Sequence, residues 1–188
     1  MSVLSRAISF FLVASAASVD PLCAQSAVSA SAEIAVGGGK GFGGEYVDRG
    51  IPTARLAASI RLSRTPTASV FAELSADWLD RGHKLSCSLD SRLMCIPWYP
   101  GLTGVAATGG VIRRPNANTE LRVAAGAGFY KANEEPRTAT TAVIAQADAA
   151  LFFSPHLGLT AGARAVVLPA FRGNLLAFIP VTVGARIR

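Results

Sequence analysis

The stretch TELRVAAGAGFY, residues 119–130, shows both faces of one element in a single reading. Odd positions carry Leu121, Val123, Ala125, Ala127 and Phe129, and even positions carry Glu120, Arg122, Ala124, Gly126, Gly128 and Tyr130. A period of two belongs to an extended strand, whose successive side chains point to opposite faces. One face here is apolar; the other holds an acid, a base and two glycines. A strand that crosses a membrane in a barrel wall alternates in this way, apolar toward lipid and polar toward the lumen.

The same alternation recurs along the chain. Residues 32–39 set Ile34 and Val36 against Glu33, and residues 54–62 set Leu56, Ala58, Ile60 and Leu62 against Arg55 and Arg61. Residues 68–78 oppose Val70, Ala72, Leu74 and Ala76 to Phe71, Glu73, Ser75 and Asp77. Residues 142–153 separate Val143, Ala145 and Leu151 from Gln146 and Asp148, residues 157–168 separate Leu159 and Val167 from Arg164, and residues 178–188 separate Ile179, Val181 and Ile187 from Arg186. Residues 101–113 are apolar and glycine-rich, with no clear parity. These segments predict eight strands.

Their connections alternate as well. Residues 40–52 and 79–100 read as long loops and residues 131–138 and 169–176 as moderate ones, whereas 63–66, 114–118 and 154–156 are short and each contains a proline. Long and short connections in strict alternation predict an all-β, antiparallel up-and-down transmembrane barrel of eight strands, long loops outside and tight turns in the periplasm. Trp78, Trp98, Tyr99, Tyr130 and Phe178 on the long-loop side, with Phe152 and Phe153 on the short-turn side, are expected to form the interfacial aromatic girdles.

Composition agrees. Charged residues are 16% of the 188, against about 25% in ordinary soluble domains. Beyond the N-terminus no apolar run reaches the roughly 18 residues of a transmembrane helix. Arg6 precedes the apolar segment AISFFLVASAA (residues 7–17), the pattern of a secretory signal peptide, so residues 1–25 are expected to be removed near Ala24 or Gln25 and residues 26–188 to form the barrel.

The polar faces carry Glu33, Glu73, Asp77, Glu120 and Asp148 together with Arg55, Arg61, Arg122, Arg164 and Arg186. Five acids face five bases. The lumen of an eight-stranded barrel is only wide enough for its own side chains, so these charges are expected to pair in a neutral network that plugs it. Gly126, Gly128, Gly162 and Gly184 are expected to leave room beside the arginines. The remaining net charge of +6 then sits in loops and turns, with Arg64, Arg113, Arg114 and Arg188 on the periplasmic side, placed to meet anionic lipid headgroups or periplasmic polymers. Scattered charges of this kind do not make a nucleic-acid surface.

Cys87 and Cys95 lie in one long loop, and an oxidising envelope favours a disulfide between them. Closing so small a ring stabilises by about 2.5 kcal/mol on the chain-entropy model. Free thiols are the alternative; a metal site with His83 lacks paired spacing and a fourth ligand.

The pattern from about residue 30 onward resembles the small eight-stranded outer-membrane barrels of Gram-negative bacteria, the OmpA transmembrane domain and OmpX-like group. In such barrels the last strand often carries a polar-x-Gly-x-x-hydrophobic assembly signal ending on an aromatic. Thr182, Gly184 and Ile187 match it in part, and Arg188 replaces the aromatic. The resemblance implies an outer-membrane location, contacts with outer-membrane lipids and lipopolysaccharide, handling by the outer-membrane assembly machinery, and a monomer. Some similar barrels modify lipid A through a His with a Ser and an acid. Here His83 lies in the longest loop and His156 in a turn at the opposite end, so neither an enzyme nor a cofactor is expected. A structural or surface-interaction protein is the leading expectation. A narrow channel for small solutes and a soluble periplasmic barrel carrying an apolar ligand are the alternatives, the last with the same alternation turned inside out.

Overall fold

A computed structural model describes residues 28–43, 51–63, 68–79, 86–87, 95–96, 101–132, 139–171 and 173–188. Eight long strands close into one antiparallel barrel: β1 (Val28–Phe42), β2 (Ile51–Ser63), β3 (Ala68–Leu79), β6 (Leu102–Asn116), β7 (Thr119–Ala132), β8 (Ala139–Phe152), β9 (Leu157–Phe171) and β10 (Asn174–Ile187). Each pairs with its neighbours in the chain, and β1 closes on β10. Two short strands, β4 (Ser86–Cys87) and β5 (Cys95–Ile96), pair only with each other.

The register fixes the barrel's shape. Stepping round the wall from Ala32 through Ala58, Leu74, Ala107, Ala127, Val143, Val167 and Ala177 returns to β1 at Phe42, ten residues along. With eight strands, that stagger implies a tilt of about 41° and a backbone radius of about 8 Å. An even stagger also keeps every inward residue facing in around the whole circuit.

The outer surface is an apolar band. Leu74 is 69% exposed, and Ile34, Val105, Val123, Val143, Leu159 and Val183 are similarly open. Among the described outward-facing strand residues the only charges are Lys40 and Lys131 near the long-loop rim and Arg113 near the turn rim. A belt of large exposed apolar side chains with charges only at its edges is what lipid accommodates and water does not. The inside-out soluble barrel is overturned by this surface.

The strands run 12 to 15 residues, longer than the expected segments. The largest correction is the last connection: residues 169–176 are not a loop, since β9 continues to Phe171 and β10 starts at Asn174. Gly173, at φ 80°, supplies the left-handed residue that so tight a turn requires. Pro169 is tolerated because β8 pairs with β9 only as far as Val167, leaving its missing N–H no partner to fail. Likewise β6 runs through Pro115 to Asn116, and a register shift between Arg113 and Asn116 absorbs the proline. The Asn118 N–H donates to the Asn116 side chain at 3.0 Å to close that turn, and Ser154 Oγ accepts from the Leu157 N–H at 2.9 Å in the next.

Residues 1–27 and 80–85, with His83, lie outside the described residues, as do Arg64, Trp98 and Tyr99.

Candidate functional site

Among the described residues, chemistry-bearing side chains gather in the barrel interior, which divides along its length. At the long-loop end Ile51, Leu79, Leu102, Tyr130, Ile144, Leu168, Leu176 and Phe178 form a buried apolar cluster. Three aromatic residues correct the girdle expectation: Tyr130, Phe178 and, at the other end, Phe152 all point inward and are buried, whereas Trp78 and Phe153 face out. Strand parity alone assigns Tyr130 and Phe178 to the inner face, and parity prevails because a one-residue exception would need a bulge.

Below that cluster the charges begin. Arg164 Nη1 donates to Asp77 Oδ1 at 3.1 Å and to Ser75 Oγ at 2.9 Å, and the Tyr130 hydroxyl donates to Asp77 Oδ2. A second chain crosses the lumen. Arg186 bridges Asp148, at 2.7 Å from Oδ1, and Glu33, to which its Nε donates at 2.9 Å. Arg55 Nη2 lies 3.7 Å from Glu33 and donates to Glu73 at 2.7 Å, where Gln146 Nε2 also donates at 3.1 Å. Arg122 then spans from Glu73, at 4.0 Å, to Glu120, at 3.3 Å, with Ser59 and Ser31 as further acceptors and the Phe71 ring 5.1 Å beneath its guanidinium.

These partners come from strands far apart in sequence. Arg186 and Glu33 are opposite residues of β10 and β1, and Arg122 and Asp148 of β7 and β8. Arg122 nevertheless bonds across the lumen toward β1 and β2 and not to its wall neighbour. Arg186 is fully enclosed, at 0% exposure, and Glu120 is 1% exposed. Charges this deep are tolerable only when paired and hydrogen-bonded.

The expected five-against-five balance does not hold. Arg114 and Arg188, assigned to the lipid headgroups, turn into the mouth instead: Arg114 Nε donates to Glu120 Oε1 at 2.9 Å, and Arg188 Nη1 at 3.0 Å. Among the described residues the interior therefore holds five acids and seven arginines. The cause is the alternation itself: inward positions of β6 are even through Ile112, and those of β10 are even through Arg186, so one further step places Arg114 and Arg188 inside.

The glycines also act differently. A Cβ at Gly126 or Gly184 would meet not an arginine but the backbone of the adjoining strand, Ala107 O at 2.0 Å and Ile34 O at 2.2 Å respectively. They permit the wall to curl tightly. Gly104, on β6, is the clearest case of space made for a side chain, since a Cβ there would lie 2.3 Å from the Tyr130 ring.

Cys87 and Cys95 are directly opposed in the β4–β5 pairing, while their side chains lie outside the described residues.

No family model matches the chain, and no curated protein matches it. Solved structures do. Neisserial surface protein A is similar with a TM-score of 0.62 at 9% identity, over 86% of this chain and 98% of that one. Ail, the attachment invasion locus protein of Yersinia pestis, is aligned over 83% of this chain and 97% of its own at 14% identity, with a TM-score of 0.49. The N-terminal β-barrel domain of Pseudomonas aeruginosa OprF is aligned over 82% and 96% at 12% identity, with a TM-score of 0.41. At 9% identity the likeness to the Neisserial protein is one of architecture, and it agrees with the apolar belt and the closed eight-stranded register. This chain has the fold of the small eight-stranded outer-membrane β-barrels.

Proposed function

We propose that the protein is a structural or surface-interaction protein of a Gram-negative outer membrane, a monomer whose barrel holds external loops in place and whose lumen is closed. The observation that carries the reading is the pairing of a lipid-compatible outside with a filled inside. An apolar cluster caps one end, arginine–carboxylate bridges cross the middle, and a cavity of about 20 Å³ beside Arg55, Asp77 and Arg164 has room for one water. The filling seen among the described residues argues against both the narrow channel and an apolar cargo. The similarity to a Neisserial surface protein supports a surface role. A non-enzymatic role is part of this reading.

Residues 1–25 are its export signal, the assembly machinery inserts it, and outer-membrane lipids and lipopolysaccharide surround it. The loop 80–101 is tied by a Cys87–Cys95 disulfide, for which the facing backbone positions of β4 and β5 are the support. Fractionation of cells expressing the full chain, with gel mobility compared before and after heating, tests the location: a heat-modifiable band in the outer membrane is expected, and recovery in the soluble periplasm sinks the reading. Planar-bilayer recording tests the closed lumen, with no steady conductance expected and regular single-channel steps favouring the channel.

A further inference from the structure

The turn end of the barrel carries a charge imbalance that no protein group relieves among the described residues. Four arginines converge on Glu120, and three of them, Arg61, Arg114 and Arg188, address the same oxygen, Oε1. Four nitrogen atoms donate to it: Arg61 Nη1 at 3.4 Å, Arg114 Nε at 2.9 Å and Nη2, and Arg188 Nη1 at 3.0 Å. A carboxylate oxygen offers two lone pairs, so this one is oversubscribed. Arg61 Nε and Arg122 Nε are buried without a hydrogen-bond partner among the described residues. Donors are in surplus, and acceptors are short.

Three of the four arginines, all but the enclosed Arg122, are reachable. Their side chains are 17% (Arg61), 25% (Arg114) and 21% (Arg188) exposed, whereas Glu120 beneath them is enclosed. Arg188 is held in place, its guanidinium stacked 3.7 Å over the Phe152 ring and its Nε donating to Pro155 O at 3.0 Å. Glu120 supplies one negative charge to these three positioned guanidinium groups and to Arg122, so at the rim of a low-dielectric lumen the arginines repel one another unless a second anion joins them. Guanidinium forks match an anion with several acceptor oxygens, and a phosphoryl group presents them in the required multiplicity.

We propose that the turn-end mouth of the barrel is an oxyanion site that takes a phosphoryl group, held by Arg61, Arg114 and Arg188 above Glu120. The group arrives either as free phosphate or as the headgroup of an anionic phospholipid; the recognising chemistry is the same. The site is independent of any role of the external loops.

The test uses the full folded barrel in maltoside micelles, which contain no phosphate of their own. Inorganic phosphate is titrated calorimetrically against a chloride control of equal ionic strength, and short-chain phosphatidylglycerol is titrated against phosphatidylcholine. One-to-one binding is expected, weakened about tenfold or more in Arg61→Gln/Arg114→Gln, the loss of charge-assisted bonds. Heat-modifiable mobility verifies that each variant remains a barrel; should the double variant fail to fold, Arg188→Gln replaces it. Binding of phosphate alone assigns the site to the free anion, binding of phosphatidylglycerol alone to the lipid headgroup, and binding of both to either source. No binding of either probe to the folded barrel, or binding undiminished in the folded variant, overturns the site.

Discussion

The two ends of the lumen are built on the same wall and filled by opposite means. At the long-loop end Leu102, Ile144, Leu168, Leu176 and Phe178 pack against one another, and no charged group is among them. Toward the turns, arginines cross from wall to wall and close on carboxylates, with Phe71 and Phe152 lying flat beneath two of the guanidinium groups. The first filling tolerates small changes of shape, because the dispersion attraction of any one atom is a small fraction of the whole. The second does not, because removing one partner leaves another charge buried and unpaired. The charged half is therefore expected to be the more fragile under single substitutions.

Arg186→Ala is the severest break of that half. Arg186 bonds Asp148 and is the closest partner of Glu33, and its loss strands the enclosed Asp148 and leaves Glu33 only the 3.7 Å contact with Arg55, at a cost of about 4 kcal/mol. Urea unfolding of the barrel in lipid vesicles measures it, and a cost below that of the apolar-end variant reverses the ranking of the two halves. Phe178→Ala, in the middle of the apolar cluster, is expected to cost about 3 kcal/mol through lost burial and a residual cavity. Arg122→Ala comes next, at about 2 kcal/mol. It is less damaging than Arg186→Ala because Glu120 keeps three other arginines and Glu73 keeps Arg55 and Gln146. Comparing the two arginine variants in one assay separates the effect of charge from the effect of redundancy.

The same division explains what could be read from the sequence. Strand parity is legible where the faces differ in chemistry, as in residues 119–130, where Glu120 and Arg122 alternate with Leu121 and Val123. It fades where the lumen itself is apolar. In β10, Leu176 and Phe178 face in while Leu175 and Ile179 face out, so both faces look alike; with Pro169 and Gly173 nearby, the segment reads as a loop. Residues 101–113 show no parity for the same reason, since Leu102, Ala106 and Ile112 are inward and Val105 and Val111 outward. Pairing was less legible than facing. Which acid meets which base depends on the ten-residue stagger, and that is a property of the closed barrel and not of any single strand.

Tyr130 sits on the seam between the two fillings, and its substitution is the mildest and most discriminating test. Its ring belongs to the apolar cluster and lies against Gly104, while its hydroxyl donates to Asp77 below. Tyr130→Phe keeps the ring and removes only the hydrogen bond, leaving Asp77 with Arg164 on its other oxygen. A cost of about 1 kcal/mol is expected in the same unfolding assay, the value of one bond to a carboxylate that retains a second partner. Gly104→Ala approaches the seam from the other side, forcing the ring away and disturbing both fillings together. If Tyr130→Phe costs as much as Gly104→Ala, the hydroxyl alone holds the two halves in register; if it costs nothing, the apolar cluster positions Tyr130 without help from the charges, and the halves are independent.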